Sequence, residues 1–201
     1  MRTLRSIVLC LLLSVLSACV LSGEAIEGQV LEQGTGRPIP GAIVVARWRG
    51  DLFAFVTTQS VCVQVETATT DTQGRYRLPA WRKKSDIGWV RNIFPVLIVY
   101  KKDYRQTENY RNSMQYLQPF TGTSEERFEY LSRLAASCSD RQEIEINLLP
   151  LYKALYEEAR TLAATKDERL KALYRLRDVE RLELGSDQAW ENFRKREREL
   201  K

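Results

Sequence analysis

Apolar and polar positions alternate in two different ways along this chain, and the change from one to the other divides it. Residues 26–31 alternate with period two, the mark of a half-buried strand. Ala42 to Trp48 is a β-branched apolar run. Phe53 to Thr70 is long and rich in threonine and valine, enough for one or two strands carrying Cys62. Asp71-Thr72-Gln73-Gly74 reads as a tight turn into Arg75-Tyr76-Arg77-Leu78, where Tyr76 and Leu78 share a face. Phe94 to Tyr100 is almost continuously apolar, as a central strand should be. Glu143-Ile144-Glu145-Ile146-Asn147-Leu148 alternates cleanly and predicts a closing strand just before Pro150. Short strands separated by turn chemistry predict a mainly β fold, a β-sandwich over residues 25–150.

The period then lengthens. Thr123-Ser124-Glu125-Glu126 fits a capping box, which predicts an inserted helix with Phe128, Leu131, Leu134 and Ala135 on one face and Cys138 continuing it. Beyond Pro150 the apolar spacing is helical: Leu151, Leu155, Ala159 and Leu162. Thr165 and Glu168 make a second capping box, leading into Leu170, Leu173, Leu176, Val179 and Leu182. Gly185 stops that helix, and Ser186 is placed to cap a last one with Trp190 and Phe193. Residues 151–201 therefore read as a helical C-terminal extension. Its apolar stripe either packs on the sandwich, the commoner fate, or is offered to a partner helix.

The first nineteen residues follow neither pattern. Arg2 and Arg5 precede an apolar run from Ile7 to Leu16, interrupted by Cys10 and Ser14. A run of about ten residues is half of what a bilayer-spanning helix needs, and it fits the apolar core of a signal peptide. Leu16-Ser17-Ala18-Cys19 follows and resembles the lipobox of bacterial lipoproteins. That resemblance implies removal of residues 1–18, diacylglycerol on Cys19, a linker over residues 19–24 and an envelope location held by palmitate-type chains. Val20 stands where inner-membrane lipoproteins often carry aspartate, so the periplasmic face of the outer membrane is favoured in a host with two membranes. The alternative is an ordinary signal peptide cut nearby, with Cys19 an incidental thiol.

Within the sandwich, Gly28-Gln29-Val30, Thr35-Gly36-Arg37-Pro38-Ile39-Pro40-Gly41-Ala42 and Thr70-Asp71-Thr72-Gln73-Gly74-Arg75-Tyr76 occur in that order. Together they resemble the carboxypeptidase regulatory-like domain. The resemblance covers roughly residues 25–150 and implies a transthyretin-like Greek-key sandwich used as a non-catalytic accessory module. Asp103-Tyr104 stands where that family has a Gly-Tyr step, so the turn there is expected to differ.

Charge and residue usage narrow the function. The formal net charge of +5 falls to about +3 without Arg2 and Arg5, too balanced for a nucleic-acid partner. Once Cys10 leaves with the leader and Cys19 carries lipid, Cys62 and Cys138 remain as a pair in a compartment that permits a disulfide; two separate buried thiols are the alternative. The chain has no histidine, which excludes Ser-His-Asp and Cys-His catalysis and histidine-ligated zinc. Neither cofactor nor metal is expected. Two stretches read as insertions into a minimal sandwich. Residues 80–93 carry Trp81, Arg82, Lys83, Lys84, Trp89 and Arg91, and residues 103–122 carry Tyr104, Tyr110 and Tyr116. Interleaved aromatic and basic residues on a loop can hold a glycan such as peptidoglycan, or an anionic headgroup; covering the sandwich edge is the plainer reading. The expectation is a non-enzymatic, membrane-anchored structural or binding module contacting an envelope protein or glycan. A hydrolase using carboxylates alone is the alternative, and it needs paired acids in a cleft.

Overall fold

A computed structural model describes residues 20–54, 57–107, 113–134, 138 and 142–200. Cys19, the leader before it, Tyr110 and Ala135 lie outside these residues. The described strands are β1 (Val20–Gly23), β2 (Ile26–Glu32), β3 (Ile43–Ala54), β4 (Thr57–Thr69), β5 (Arg75–Leu78), β6 (Trp81–Lys84), β7 (Val90–Tyr100), β8 (Tyr104–Gln106) and β9 (Met114–Pro119). The helices are α1 (Ser124–Leu134), α2 (Gln142–Glu145), a 3-10 turn at Ile146–Leu148, α3 (Leu149–Leu162), α4 (Lys166–Leu184) and α5 (Ser186–Glu199). Helix and strand each make up 39%, so the expected mainly β chain is a mixed one: a sheet-rich body with a C-terminal helical part.

Two sheets form the body, β5-β2-β9-β8 and β4-β3-β7, and β1 pairs with β6 in a separate ribbon. Between the sheets lie Val30, Val44, Ala46, Trp48, Tyr76, Leu78, Leu97, Val99 and Leu117. The parallel pairing of β2 with β9 depends on Gly28, whose missing side chain leaves room for the Ser113 carbonyl and the Tyr76 hydroxyl. Tyr76 donates to that carbonyl at 2.8 Å. At the Asp71 turn, Gly74 takes φ +70°, and its carbonyl accepts from Val30 N. Asp103 takes φ 64°, so aspartate adopts the left-handed backbone that glycine would favour.

The three-stranded sheet is covered on both faces. Val44 and Ala46 face the sandwich core, whereas Val45, Val65, Ile98 and Tyr100 face Leu131, Leu148, Leu151, Tyr152 and Leu155 of the helical layer. This explains the apolar run in β7 but corrects its expected place: β7 is an edge strand, and β3 is central. Pro95 lies in it, acceptable at an edge because proline cannot donate to a ladder.

A bulge decides one further orientation. Trp48 is opposite Gln64, but Arg49 is opposite Cys62, which leaves Val63 as the extra residue. In unbroken alternation Cys62 and Val65 would face opposite ways; the bulge returns Cys62 to the helical side. There it is bonded to Cys138, with Cα atoms 5.6 Å apart.

The expected closing strand at Glu143–Leu148 is helical instead. Its alternation cannot be a strand's, because Ile144, Glu145 and Leu148 are buried while Ile146 is 40% exposed. The segment still meets the free edge of β4: Asn147 Nδ2 donates to Val65 O at 2.8 Å, and Thr67 Oγ1 donates to Asn147 O. The strands that complete the sandwich, β8 and β9, come from residues 103–122, which were expected to be an insertion.

The helix boundaries follow the capping chemistry. Thr123 N donates to Glu126 Oε2, and Glu126 N donates to Thr123 Oγ1. The Thr165–Glu168 box is likewise reciprocal, and Gly185 ends α4 at φ 92°. Ser186 is not the cap of α5; Gly185 holds that position and Ser186 is already helical. Helix α3 lies on the sheet, α4 on α3, and α5 on α4.

Deleting residues 151–201 uncovers Val45, Val65, Ile98 and Tyr100 together. At about 25 cal/mol per Å2 of apolar surface, a few hundred Å2 is comparable to a domain's whole stability. The 20–150 fragment is expected to melt lower or aggregate in a thermal scan, and a melting curve like the full chain's would contradict the packing.

Candidate functional site

The residue that would carry the lipid precedes an ordered strand. Val20 pairs with Lys84, Leu21 with Lys83, Ser22 with Arg82 and Gly23 with Trp81, so residues 20–23 of the expected linker are part of the fold. Strand alternation sorts the ribbon's side chains. Leu21 and Trp81 are buried, while Val20, Arg82 and Lys84 are exposed. Trp81 meets Trp48 edge to face with ring centroids 5.7 Å apart, and Gly23 fits against both indoles only because it lacks a Cβ.

The aromatic-basic loop expected over residues 80–93 is therefore not one surface. Trp81 belongs to the core, and Lys83 Nζ donates inward to Val63 O. Trp89 is 57% exposed, with the Arg91 guanidinium 4.0 Å from its ring centroid. Its carbonyl accepts from Phe53 N at 3.2 Å, which sets Phe53, 58% exposed, beside it. Trp89 thus shares its neighbourhood with Phe53 rather than with Trp81, a grouping produced by the β3–β7 register.

Several ion pairs join the helices to one another, and the first of them also reaches the sheet. Arg127 Nε donates to Glu158 Oε1 at 2.8 Å and its Nη2 to Oε2 at 2.9 Å, with both side chains almost fully buried. The same guanidinium donates to the carbonyls of Tyr104 and Lys101, and the Tyr100 hydroxyl donates to Glu158 Oε2 at 2.7 Å. Burial, then the hydrogen bond to Glu158, raises the Tyr100 hydroxyl well above the usual phenol range. The second pair is Arg181 with Glu145, also bidentate at 2.7 and 2.9 Å. Tyr152 donates to Glu145, and burial followed by that carboxylate raises its hydroxyl in the same way. Tyr76 is pushed up to about 12 by burial alone.

Other acids have structural partners too. Glu32 accepts from Arg37, Thr35 and Tyr104, which in that order lower its pKa. Glu180 pairs with Arg196 at 2.8 Å. Asp71 holds its own turn by accepting from Gln73 N and Arg75 N; the Arg75 backbone bond is the main cause of its lowered pKa. Among the described residues no group of three or more acids and cysteines is placed to hold a metal ion.

An open cleft of about 660 Å3 lies where the edges of the two sheets meet α1. Arg47, Val96 and Ile98 of the three-stranded sheet, Arg105, Thr107 and Gln118 at the edge of the four-stranded one, and Tyr130, Arg133 and Leu134 of α1 line it. Burial, with Arg49 second, lowers the pKa of Arg47. The chemistry offered is guanidinium donors beside the apolar side chains of Val96, Ile98 and Leu134, suited to a carboxylate or phosphate on an apolar body. Sequence reasoning missed this cleft because Arg47, Arg105 and Arg133 come together only through pairing of distant strands and the docking of α1.

The chain matches no family model, no curated protein and no solved structure.

Removing one member of a buried pair strands the other charge at a cost of about 3–5 kcal/mol, whereas a volume-matched apolar pair can be neutral. Glu158→Ala is expected to lose that much in denaturant unfolding, and Arg127→Met with Glu158→Leu to recover most of it. Equal losses in both variants would show that the pair is not what matters at this position. Losing the Cys62–Cys138 bond through Cys138→Ser is expected to cost roughly 2–4 kcal/mol in the same assay; an unchanged unfolding midpoint would contradict it.

Proposed function

We propose that the chain is a lipid-anchored, non-enzymatic module of the bacterial cell envelope, bound through Cys19 and presenting a transthyretin-like body. The observation that carries this reading is the step from Leu16-Ser17-Ala18-Cys19 directly into β1 at Val20. Processing before Cys19 would leave no leader to accommodate and would hold the body close against its membrane. Several acyl chains at about 0.8 kcal/mol per buried methylene anchor firmly. No described helix is long and apolar enough to cross a membrane, so lipid is the means of attachment in this proposal. In a host with two membranes the body would face the periplasm from the outer one.

The transthyretin-like reading is supported by the division into a three-stranded and a four-stranded sheet. The chain crosses from one to the other between β2 and β3, between β4 and β5, between β5 and β7 by way of β6, and between β7 and β8. Of the three motifs behind the resemblance, Gly28-Gln29-Val30 lies within β2, and the other two span the turns that lead into β3 and β5. The non-enzymatic reading is supported by the buried carboxylates: Glu32, Glu145, Glu158 and Glu180 each accept from an arginine. Fixed ion pairs of this kind hold elements together, which suits these four carboxylates to a structural role.

Cys19→Ala is expected to abolish metabolic palmitate labelling and to release the protein from membranes or leave it unprocessed. Labelling that persists in this variant would remove the anchor from the account.

A further inference from the structure

The hairpin of β3 and β4 projects past the helical layer. That layer meets the sheet at Val45, Val65, Ile98 and Tyr100, near the Ile43–Thr69–Tyr100 end of the register. The opposite end carries Leu52, Phe53 and Ala54, paired with Gln59, Thr58 and Thr57. Phe55 and Val56, which lie outside the described residues, continue the apolar run in sequence. Trp89 lies beside Phe53 through the Phe53 N to Trp89 O hydrogen bond. Two large aromatics more than half exposed at one end of a fold are costly unless something covers them.

The same end lies within a short reach of Val20, the residue that follows the proposed anchor. Val20 is opposite Lys84, and four residues connect Lys84 to Trp89, a reach of at most about 18 Å even fully extended. The loop is closed further by Ser85 Oγ donating to Gly88 O at 2.6 Å. Charge at this end leans positive: Arg82, Lys84 and Arg91 stand against Asp51, which accepts from Asn92, and Asp86. Tryptophan with flanking basic residues is the combination that settles at a membrane's headgroup level.

We propose that this end, Trp89 and Phe53 flanked by Lys84, Arg82 and Arg91, docks into the headgroup layer of a membrane containing anionic phospholipid. It rests on the lipid-anchor reading, since Cys19 places this end at the bilayer. Docking turns a tether into a fixed orientation: the helical layer points away from the membrane, and the arginine cleft between α1 and the sheet edges stays open to the aqueous side.

The test uses the full-length protein extracted from membranes and reconstituted in vesicles of phosphatidylcholine with a quarter phosphatidylglycerol, the acyl chains brominated near the headgroup. Tryptophan quenching reads contact with lipid. Trp48 and Trp81 are buried, and Trp190 is on α5, so Trp89→Phe is expected to abolish most of the quenching while the melting temperature holds. Lys84→Glu with Arg91→Glu is expected to weaken quenching in the anionic vesicles and to change little in pure phosphatidylcholine. Quenching that is the same in the wild type and Trp89→Phe overturns the proposal. So does shielding of Trp89 from acrylamide by soluble glycan fragments, or by self-association at rising protein concentration. The mass of the N-terminal peptide from the same sample reports the lipid separately. A lipidated protein without Trp89 contact sinks docking alone, and an unmodified Cys19 sinks the anchor alone if vesicle-bound protein is still quenched through Trp89.

Discussion

A sheet that is apolar on both faces governs this structure. Strand β3 sends Val44 and Ala46 into the sandwich and Val45 into the helical layer, all fully buried. A two-layer sandwich would leave Val45, Val65, Ile98 and Tyr100 in water, so the fold needs a third layer. The helices supply it, and each device linking them to the body reflects that need. The disulfide ties the segment after α1 to β4, Asn147 bonds the edge of β4, and the Arg127–Glu158 pair closes α1 and α3 over the β7–β8 turn.

Satisfying that constraint puts charges inside, and the pairing chemistry follows from it. Arg127 could not be buried with one partner; it has a carboxylate in two-point contact and two backbone carbonyls besides. Glu158 accepts from Tyr100 as well, which couples the sheet to the same cluster. The result is a joint that is fully hydrogen-bonded and specific in geometry, and therefore structural. The surfaces left for function are elsewhere: the arginine cleft at the sheet edges, and the aromatic end with Trp89 and Phe53.

Much of the first two layers was legible in the sequence, because a strand with one buried face writes its period into the residues. The starts at Ile26 and Arg75, a strand through the Ala42 to Trp48 run, both capping boxes and the stop at Gly185 come from short-range chemistry of this kind. What was not legible depends on distant pairing. Glu143–Leu148 alternates, but whether Glu145 or Ile146 faces inward is decided by Arg181, thirty-six residues away in sequence. The edge position of β7 cannot be read from its own residues, since a helical cover makes an edge strand as apolar as a central one. Trp81 and Trp89 look like neighbours along the chain; ribbon pairing turns one into the core and the β3 register carries the other to the aromatic end. Cys62 and Cys138 could be paired by counting, but the bulge at Val63 that makes the bond geometrically possible left no mark in the sequence.

If the helical layer completes the sheet, the two unfold together. Native-state hydrogen exchange followed residue by residue at low denaturant measures this directly. The amides of α3 around Leu151 and Leu155 should open with the same free energy as those of β3 around Val44 and Val45, converging on the global unfolding curve. Exchange of the α3 amides at a much lower opening energy, with β3 still protected, would show that the helices are an appendage and contradict the account.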